Sequence, residues 1–291
     1  MKARTLANLH PALRDDIGDL TTRRPLPGPG LDLLDPFLFL NRHGPQQYPP
    51  NNRGLPFGPH PHRGFETVTF ILEGELAHYH GDQQDRSPYA SVIKAGGIQW
   101  MTAGRGLVHA ELSPPSFKQQ GGPLEILQLW VNLPARLKMI EPAYTGLQRE
   151  QIPRLSLDAQ GSCLNLIAGT HGDRQGPVQS LTGLFMATLE LAAGARVSLP
   201  APKGHQVFLY LVRGQADIAG TPAEPFHLAE LHDDGDQVEI AAQTPCVLLF
   251  GHGAPLEEPV VAHGPFVMNT REEIRQAILD YQAGQFGGLS L

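Results

Sequence analysis

Short runs of β-branched and aromatic residues, each closed by a glycine or proline turn, recur along this chain and constrain it to an all-β architecture. Thr67-Val-Thr-Phe-Ile-Leu72 stops at Glu73-Gly-Glu75, and Ser91-Val-Ile93 runs into Ala95-Gly-Gly97. Ile98-Gln-Trp-Met-Thr102 gives way to Ala103-Gly-Arg-Gly106, and Ile126-Leu-Gln-Leu-Trp-Val131 ends just before Pro134. Side chains of these types fit a pleated, half-buried surface, whereas glycine and proline interrupt it. The 32 glycines and 27 prolines are spread over all 291 residues, so turns are frequent and little sequence is left for long helices. Evenly spaced short strands predict sandwiches or barrels rather than βαβ units.

The pattern occurs twice. His205-Gln-Val-Phe-Leu-Tyr-Leu-Val-Arg-Gly214 lies over Phe65-Glu-Thr-Val-Thr-Phe-Ile-Leu-Glu-Gly74 without a gap. Two tandem antiparallel barrels follow, residues 1–138 and 139–291, joined near Pro134 to Pro142. The tail, residues 264–291, carries the one clear helix, at about 271–283. Thr270-Arg-Glu-Glu273 reads as a capping box, and Ile274, Ala277, Ile278 and Tyr281 recur at helical spacing up to Gly284. Such an apolar stripe is expected to dock back on the body of the protein.

A net charge of −7 with no cluster of Lys or Arg argues against direct nucleic-acid binding, which depends on phosphate neutralisation. Cys163 and Cys246 sit in apolar company and read as buried free thiols. The first twenty residues carry charges and a proline where a signal peptide needs an apolar stretch, and no apolar run approaches the ~20 residues of a membrane span. A soluble, cytoplasmic monomer is the default expectation.

The chemistry lies in two short strings. In Gly58-Pro-His60-Pro-His62 the imidazoles stand at i and i+2 of an extended segment and so point to one side. His109-Ala-Glu111 repeats the arrangement with a carboxylate. If the two strands are neighbours facing inward, three imidazoles and a carboxylate converge, a donor set suited to a transition metal with open positions left for other ligands. Any one of the 13 histidines is more commonly a surface or core side chain; two pairs of matching parity in strand–turn settings are not. A rival pair, His78-Tyr-His80-Gly-Asp82, precedes a polar run and is expected toward a loop at the barrel mouth, facing substrate or solvent.

These residues resemble the cupin pattern, and within it the pirin family. The first cupin motif is similar to Gly54-x5-His60-x-His62-x3-Glu66-x7-Gly74, with one residue more than usual before the last glycine. The second is similar to Gly104-x-Gly106-x2-His109, with Gly104 where many cupins carry proline. The strings PHPHRGFETVTFILEG, QWMTAGRGLVHAE and GPFVMNTREEIRQAILDYQAGQFG resemble pirins almost word for word, and the likeness is vaguer from Pro142 to Ala262. The resemblance implies a bicupin of jelly-roll barrels. Its N-terminal barrel would hold one Fe(II)/Fe(III) ion, with Mn, Ni, Cu or Zn as substitutes, on His60, His62, His109 and Glu111. General cupins use the position of Glu66 instead, which leaves that residue as a candidate beside the ligands. The second barrel would be metal-free, since Pro200 and Pro202 fall on the positions of His60 and His62, and no HxE string appears near Cys246 to Phe250.

Two classes of function follow from the resemblance. One is a quercetinase-type dioxygenase acting with O2 on a flavonol or similar small aromatic substrate, with Glu111 as the base. Phe57, Phe65, Trp100 and Met101 are candidates for its pocket wall. The other is a redox-sensitive iron-binding regulator that works through a protein partner. Arg63 and Arg105, flanking the ligand strings, could serve either from the rim of the site. A zinc or manganese isomerase acting on a sugar-like substrate shares the fold and ranks last.

Overall fold

The computed structural model describes residues 2–81 and 89–289. The chain is mostly β, and it divides into two compact units that interleave along the sequence. One comprises residues 14–23, 37–150 and 256–291, the other residues 1–13, 24–36 and 151–255. The sequence reading makes one cut between 138 and 139. The tail, assigned there to the second barrel, here packs within the unit that carries the histidine strings.

In that unit, part of a seven-stranded sheet runs in the order Ala143–Leu147, Ile98–Thr102, Phe65–Glu73, Gly122–Asn132, Phe37–Tyr48. It faces a four-stranded sheet ordered Phe57–His62, Leu107–Leu112, Glu75–His80, Tyr89–Lys94. Alternation assigns each side chain to one face. Thr69 is opposite Gln128 on one neighbouring strand and opposite Gln99 on the other, so these three share a face. Thr69 donates to Glu111 of the four-stranded sheet, which identifies that face as the barrel interior.

The second unit repeats the layout, with a seven-stranded sheet against a four-stranded one. Gln206–Arg213 lies between His227–Leu231 and Cys246–Gly253, as Phe65–Glu73 lies between Ile98–Thr102 and Gly122–Asn132. The gapless overlay therefore corresponds to a repeated position in the topology. The strand beside Arg196–Pro200 is Gln237–Ala242, so the counterpart of His109-Ala-Glu111 lies there, and not near Cys246 to Phe250 as sequence spacing suggested. Interior chemistry differs between the barrels. Where Thr69 faces Gln128 in the first, Leu209 faces Phe250 in the second, inside a core that also holds Leu189, Leu248 and Ile240.

The tail helix spans Arg271–Gln282. Its capping box is formed, with the Glu273 amide donating to Thr270 Oγ1 and the Glu273 carboxylate accepting from the Thr270 amide. Ile274, Ala277, Phe266, Met268 and Phe286 pack around Val108. Val108 neighbours His109, and alternation turns it to the back of the ligand strand, so the tail covers that strand from outside. Two glycines make the approach possible. Gly64 has φ +89° and its Cα faces the Val267 carbonyl, while a Cβ at Gly106 would meet the Phe286 ring at 2.7 Å. Lys138, buried, donates to the carbonyls of Gly64 (2.8 Å) and Val267 (3.1 Å) and ties the tail to the loop after His62.

Candidate metal centre

His60 and His62 end the strand Phe57–His62, and His109 and Glu111 lie on its neighbour Leu107–Leu112, with His109 opposite His60. The ligand-capable nitrogens of His60, His62 and His109 all lie within 4.8 Å of one another. Their hydrogen bonds fix the tautomers. His60 Nδ1 is 2.7 Å from the Gly58 carbonyl and His62 Nδ1 is 3.4 Å from that of Pro265. A carbonyl only accepts, so both Nδ1 atoms carry the proton and both Nε2 lone pairs are free. His60 Nε2 then faces His109 Nε2 at 3.0 Å. Two imidazole nitrogens that close need a proton or a cation between them.

A neutral His109 with its proton on Nε2 supplies that proton, whereas with it on Nδ1 a lone pair is left for a cation. Burial and the neighbouring His60 depress His62 to about 3, and burial with the surrounding imidazoles holds His109 well below the ordinary histidine value. Imidazole nitrogens converging on one point, two of the rings donating their other N–H to backbone carbonyls, fit a metal ion. The three-histidine group could therefore hold one.

Glu111 stands beside this group. Thr69 Oγ1 donates to its Oε1 at 2.9 Å, and Gln128 Nε2 to its Oε2 at 2.6 Å. Burial pushes its carboxyl above the ordinary range, while the Thr69 hydroxyl, the nearby His60 and the Gln128 amide hold it back in part. Each oxygen keeps a lone pair for a metal or a proton.

The other sequence candidates divide by face. Phe57 is opposite Glu111 and lies against His43 (ring centroids 5.2 Å), and Met101 is opposite Thr67, so both belong to the interior face. Phe65, of the same parity as Thr67 and Thr69, contacts the His62 ring at 5.0 Å. Glu66 and Trp100 do not face the site. Glu66 is opposite Thr102, whose hydroxyl donates to it at 2.7 Å, and Trp100 is opposite Val68, which puts both on the outer face of the sheet. The two arginines take different places. Arg63 is buried beneath the tail, donating to the Arg105 carbonyl and to Asp280, and Arg105 pairs with Glu141 at the surface.

His78 also departs from expectation. It lies in the strand Glu75–His80, directly opposite Glu111, and is buried against His109 (ring centroids 5.2 Å) rather than in a loop; Asp82 and the polar run after it lie outside the described residues. Sequence reading missed Gln128 and Trp130. Their signal was present in Ile126-Leu-Gln-Leu-Trp-Val131, where a glutamine and a tryptophan share a parity inside an otherwise aliphatic strand. Trp130 stacks on Phe39 (4.7 Å) and lies 4.5 Å from Phe65 and 5.3 Å from His62.

The buried neutral imidazoles set an acid limit on the metal-free protein. His62 and His78 titrate near 3 when folded and near 6.5 when unfolded, so the unfolded chain binds more protons between those values. Stability is expected to be complete above about pH 6.5 and to fall below it, by up to roughly 1.4 kcal/mol per pH unit for each imidazole. Urea unfolding of the metal-free protein at pH 7.5, 6 and 5 measures the slope, and a flat profile would contradict these protonation states.

A sequence profile described as Pirin matches residues 19–131, and one described as the Pirin C-terminal cupin domain matches residues 186–287. Human Pirin is 40% identical over 274 residues, covering 91% of this chain and 87% of its own. The chain belongs to the pirin family. A crystal structure described as quercetin 2,3-dioxygenase from Acinetobacter baumannii superposes with a TM-score of 0.92 at 33% identity, covering 99% of this chain and 100% of that one. The bacterial pirin YhhW from Escherichia coli, solved in complex with nickel(II), shares the fold at a TM-score of 0.66 and 21% identity, over 85% of this chain and 99% of its own. Within this pirin-family chain, no helix among the described residues is long and apolar enough to cross a membrane.

Proposed function

We propose that the chain is a pirin-type, iron-dependent dioxygenase that opens the ring of quercetin or a similar aromatic enol with O2. The observation that carries this reading is the convergence of three imidazoles inside a barrel, next to a carboxylate of raised proton affinity and an aromatic wall. The A. baumannii structure described as a quercetin 2,3-dioxygenase supports the substrate class. His60, His62, His109 and Glu111 would hold the iron.

When bound, the ion supplies Lewis acidity that lowers the pKa of a substrate hydroxyl and a path for electrons between substrate and O2. The chain's own residues do the rest. Glu111 accepts the hydroxyl proton at a carboxylate oxygen, and burial favours its protonated form. Thr69 and Gln128 fix the orientation of that carboxylate from the opposite sheet. Trp130, half-buried beside the His62 ring between Phe39 and Phe65, offers an apolar surface to an aromatic ring.

The test is O2 uptake and loss of quercetin absorbance by protein loaded anaerobically with Fe(II), beside a His60→Ala, His62→Ala double variant, with metal assayed on both. Metal-dependent turnover in the parent alone is expected. Bound iron without turnover would favour the second reading, an iron-dependent regulator acting through a protein partner, for which the acidic net charge is the supporting feature.

A further inference from the structure

His62 is held from a distant part of the sequence. Its Nδ1 faces the carbonyl of Pro265, 203 residues further on, at 3.4 Å. The Arg63 amide donates to the same oxygen at 3.3 Å, and the Val267 amide returns a bond to the Arg63 carbonyl at 3.1 Å. Arg63 and Phe266 thus pair as a parallel bridge beside the ligand strand. A backbone carbonyl that accepts from the outer N–H of a ligand histidine sets the tautomer and the direction of its ring. Here that carbonyl belongs to the tail.

The contacts that dock the tail also fix this carbonyl. Lys138 Nζ donates across the junction, to Gly64 O at 2.8 Å and Val267 O at 3.1 Å, and is itself anchored on Asn132 Oδ1 at 2.6 Å. Arg63 reaches past the junction to Asp280 on the helix and lies over the Phe286 ring. Phe266 and Met268, on either side of Val267, pack with Ile274 and Ala277 of the helix around Val108. Pro265 therefore shares its fastening with the helix that follows it.

We infer that the C-terminal tail is part of the metal centre, with the Pro265 carbonyl orienting His62 and Lys138 as the positioning residue that keeps it in place. Tail docking and metal binding are then coupled. An ion bound more tightly by the tail-docked form makes tail opening rarer by the same factor. Loss of an outer partner of a ligand histidine weakens metal binding by about 10–100-fold, so the tail is expected to open at least roughly tenfold less often with metal bound. The inference rests on the proposed function only in that the three histidines hold an ion.

Amide hydrogen exchange of the full chain, free and saturated with nickel(II), reads the coupling without turnover. Residues 264–289 are expected to exchange roughly tenfold more slowly with nickel. The helix Pro115–Gln120 of the same unit packs on Tyr48 in a separate apolar cluster, and its exchange is expected to stay within about twofold. A general gain in stability would slow both segments. Lys138→Met keeps the length of the side chain and removes the ammonium. Its tail is expected to exchange faster, and it is expected to bind nickel about tenfold more weakly in competition with a chromophoric chelator. Circular dichroism establishes that the variant folds; if it does not, the two segments of the parent decide alone. Nickel bound without slowing of the tail, equal slowing of both segments, or a folded Lys138→Met of parental affinity overturns the inference and leaves the histidine centre standing. A parent that binds no nickel overturns both. Coupling in a protein that does not consume quercetin leaves the inference standing and removes the dioxygenase.

Discussion

Replacing His109 by alanine is expected to reduce bound metal from about one equivalent to under roughly a tenth, because this imidazole lies at the centre of the cluster. Its Nε2 meets His60 at 3.0 Å, and its ring lies 4.9 Å from that of His62 and 5.2 Å from that of His78. Loss of an outer-shell partner alone costs about 10–100-fold in metal affinity, and loss of a direct ligand exceeds that. Elemental analysis of protein dialysed against chelator and reloaded checks the stoichiometry. Thermal unfolding supplies a second readout, since metal at a hundred times its dissociation constant stabilises a parent by about 2.7 kcal/mol and cannot stabilise a chain that does not bind it. A variant that keeps a full equivalent, or a parent that binds none, would remove the metal centre itself. Truncation of a buried ring also leaves a cavity, costing on the order of 3–5 kcal/mol for the largest aromatics, so folding of the variant is established by circular dichroism first.

Arg63→Ala is expected to be strongly destabilising. The Arg63 guanidinium donates to the Arg105 carbonyl at 2.6 Å and to Asp280 at 2.6 Å, and its centre lies 4.5 Å over the Phe286 ring. Both members of the ion pair are nearly buried, with side-chain exposures of 5% and 11%. Removing one partner leaves the Asp280 carboxylate, which also accepts from the Gln276 amide at 2.7 Å, without its cation beneath the protein surface, and breaking such a pair costs about 3–5 kcal/mol. For a unit of this size each kcal/mol is worth roughly 2–4 °C, so a fall in Tm of about 6–20 °C is expected. An Arg63→Ala, Asp280→Ala double variant should recover part of the loss, because the stranded charge goes with it. A single variant within 2 °C of the parent would show that the tail is held without the Arg63 side chain, by Lys138 and the apolar contacts around Val108.

The convergence of the three histidines was largely legible from parity. His60 and His62, and likewise His109 and Glu111, are two residues apart in extended chain, and a pleated strand turns such residues to one side whatever surrounds it. Parity along one strand says nothing about which face of the sheet becomes interior. Glu66 and Trp100 therefore fall on the outer face, although each lies beside an inward-facing side chain. The interior was assigned only by the bond from Thr69 to Glu111 across the barrel. His78 shows the same limit. Its string has the parity of the ligand pairs, but its role depends on the strand Glu75–His80 pairing with Leu107–Leu112.

The sequence by itself determined what is local. Strand runs between glycine and proline turns, the repeated strand at His205 to Gly214, the capped helix at Arg271–Gln282 and the two same-face pairs all rest on backbone geometry over a few residues. Tertiary structure decided what depends on register and on contacts between distant segments: the partnership of Gln128 with Glu111, the aromatic wall of Phe39, Phe65 and Trp130, the stacking of Tyr144 on His78, and the tail clasped by Arg63 and Lys138. The physical reason is that a side chain's direction follows from its own strand, while its partners follow from which strand is hydrogen-bonded beside it and at what offset, and chain order alone does not fix that pairing.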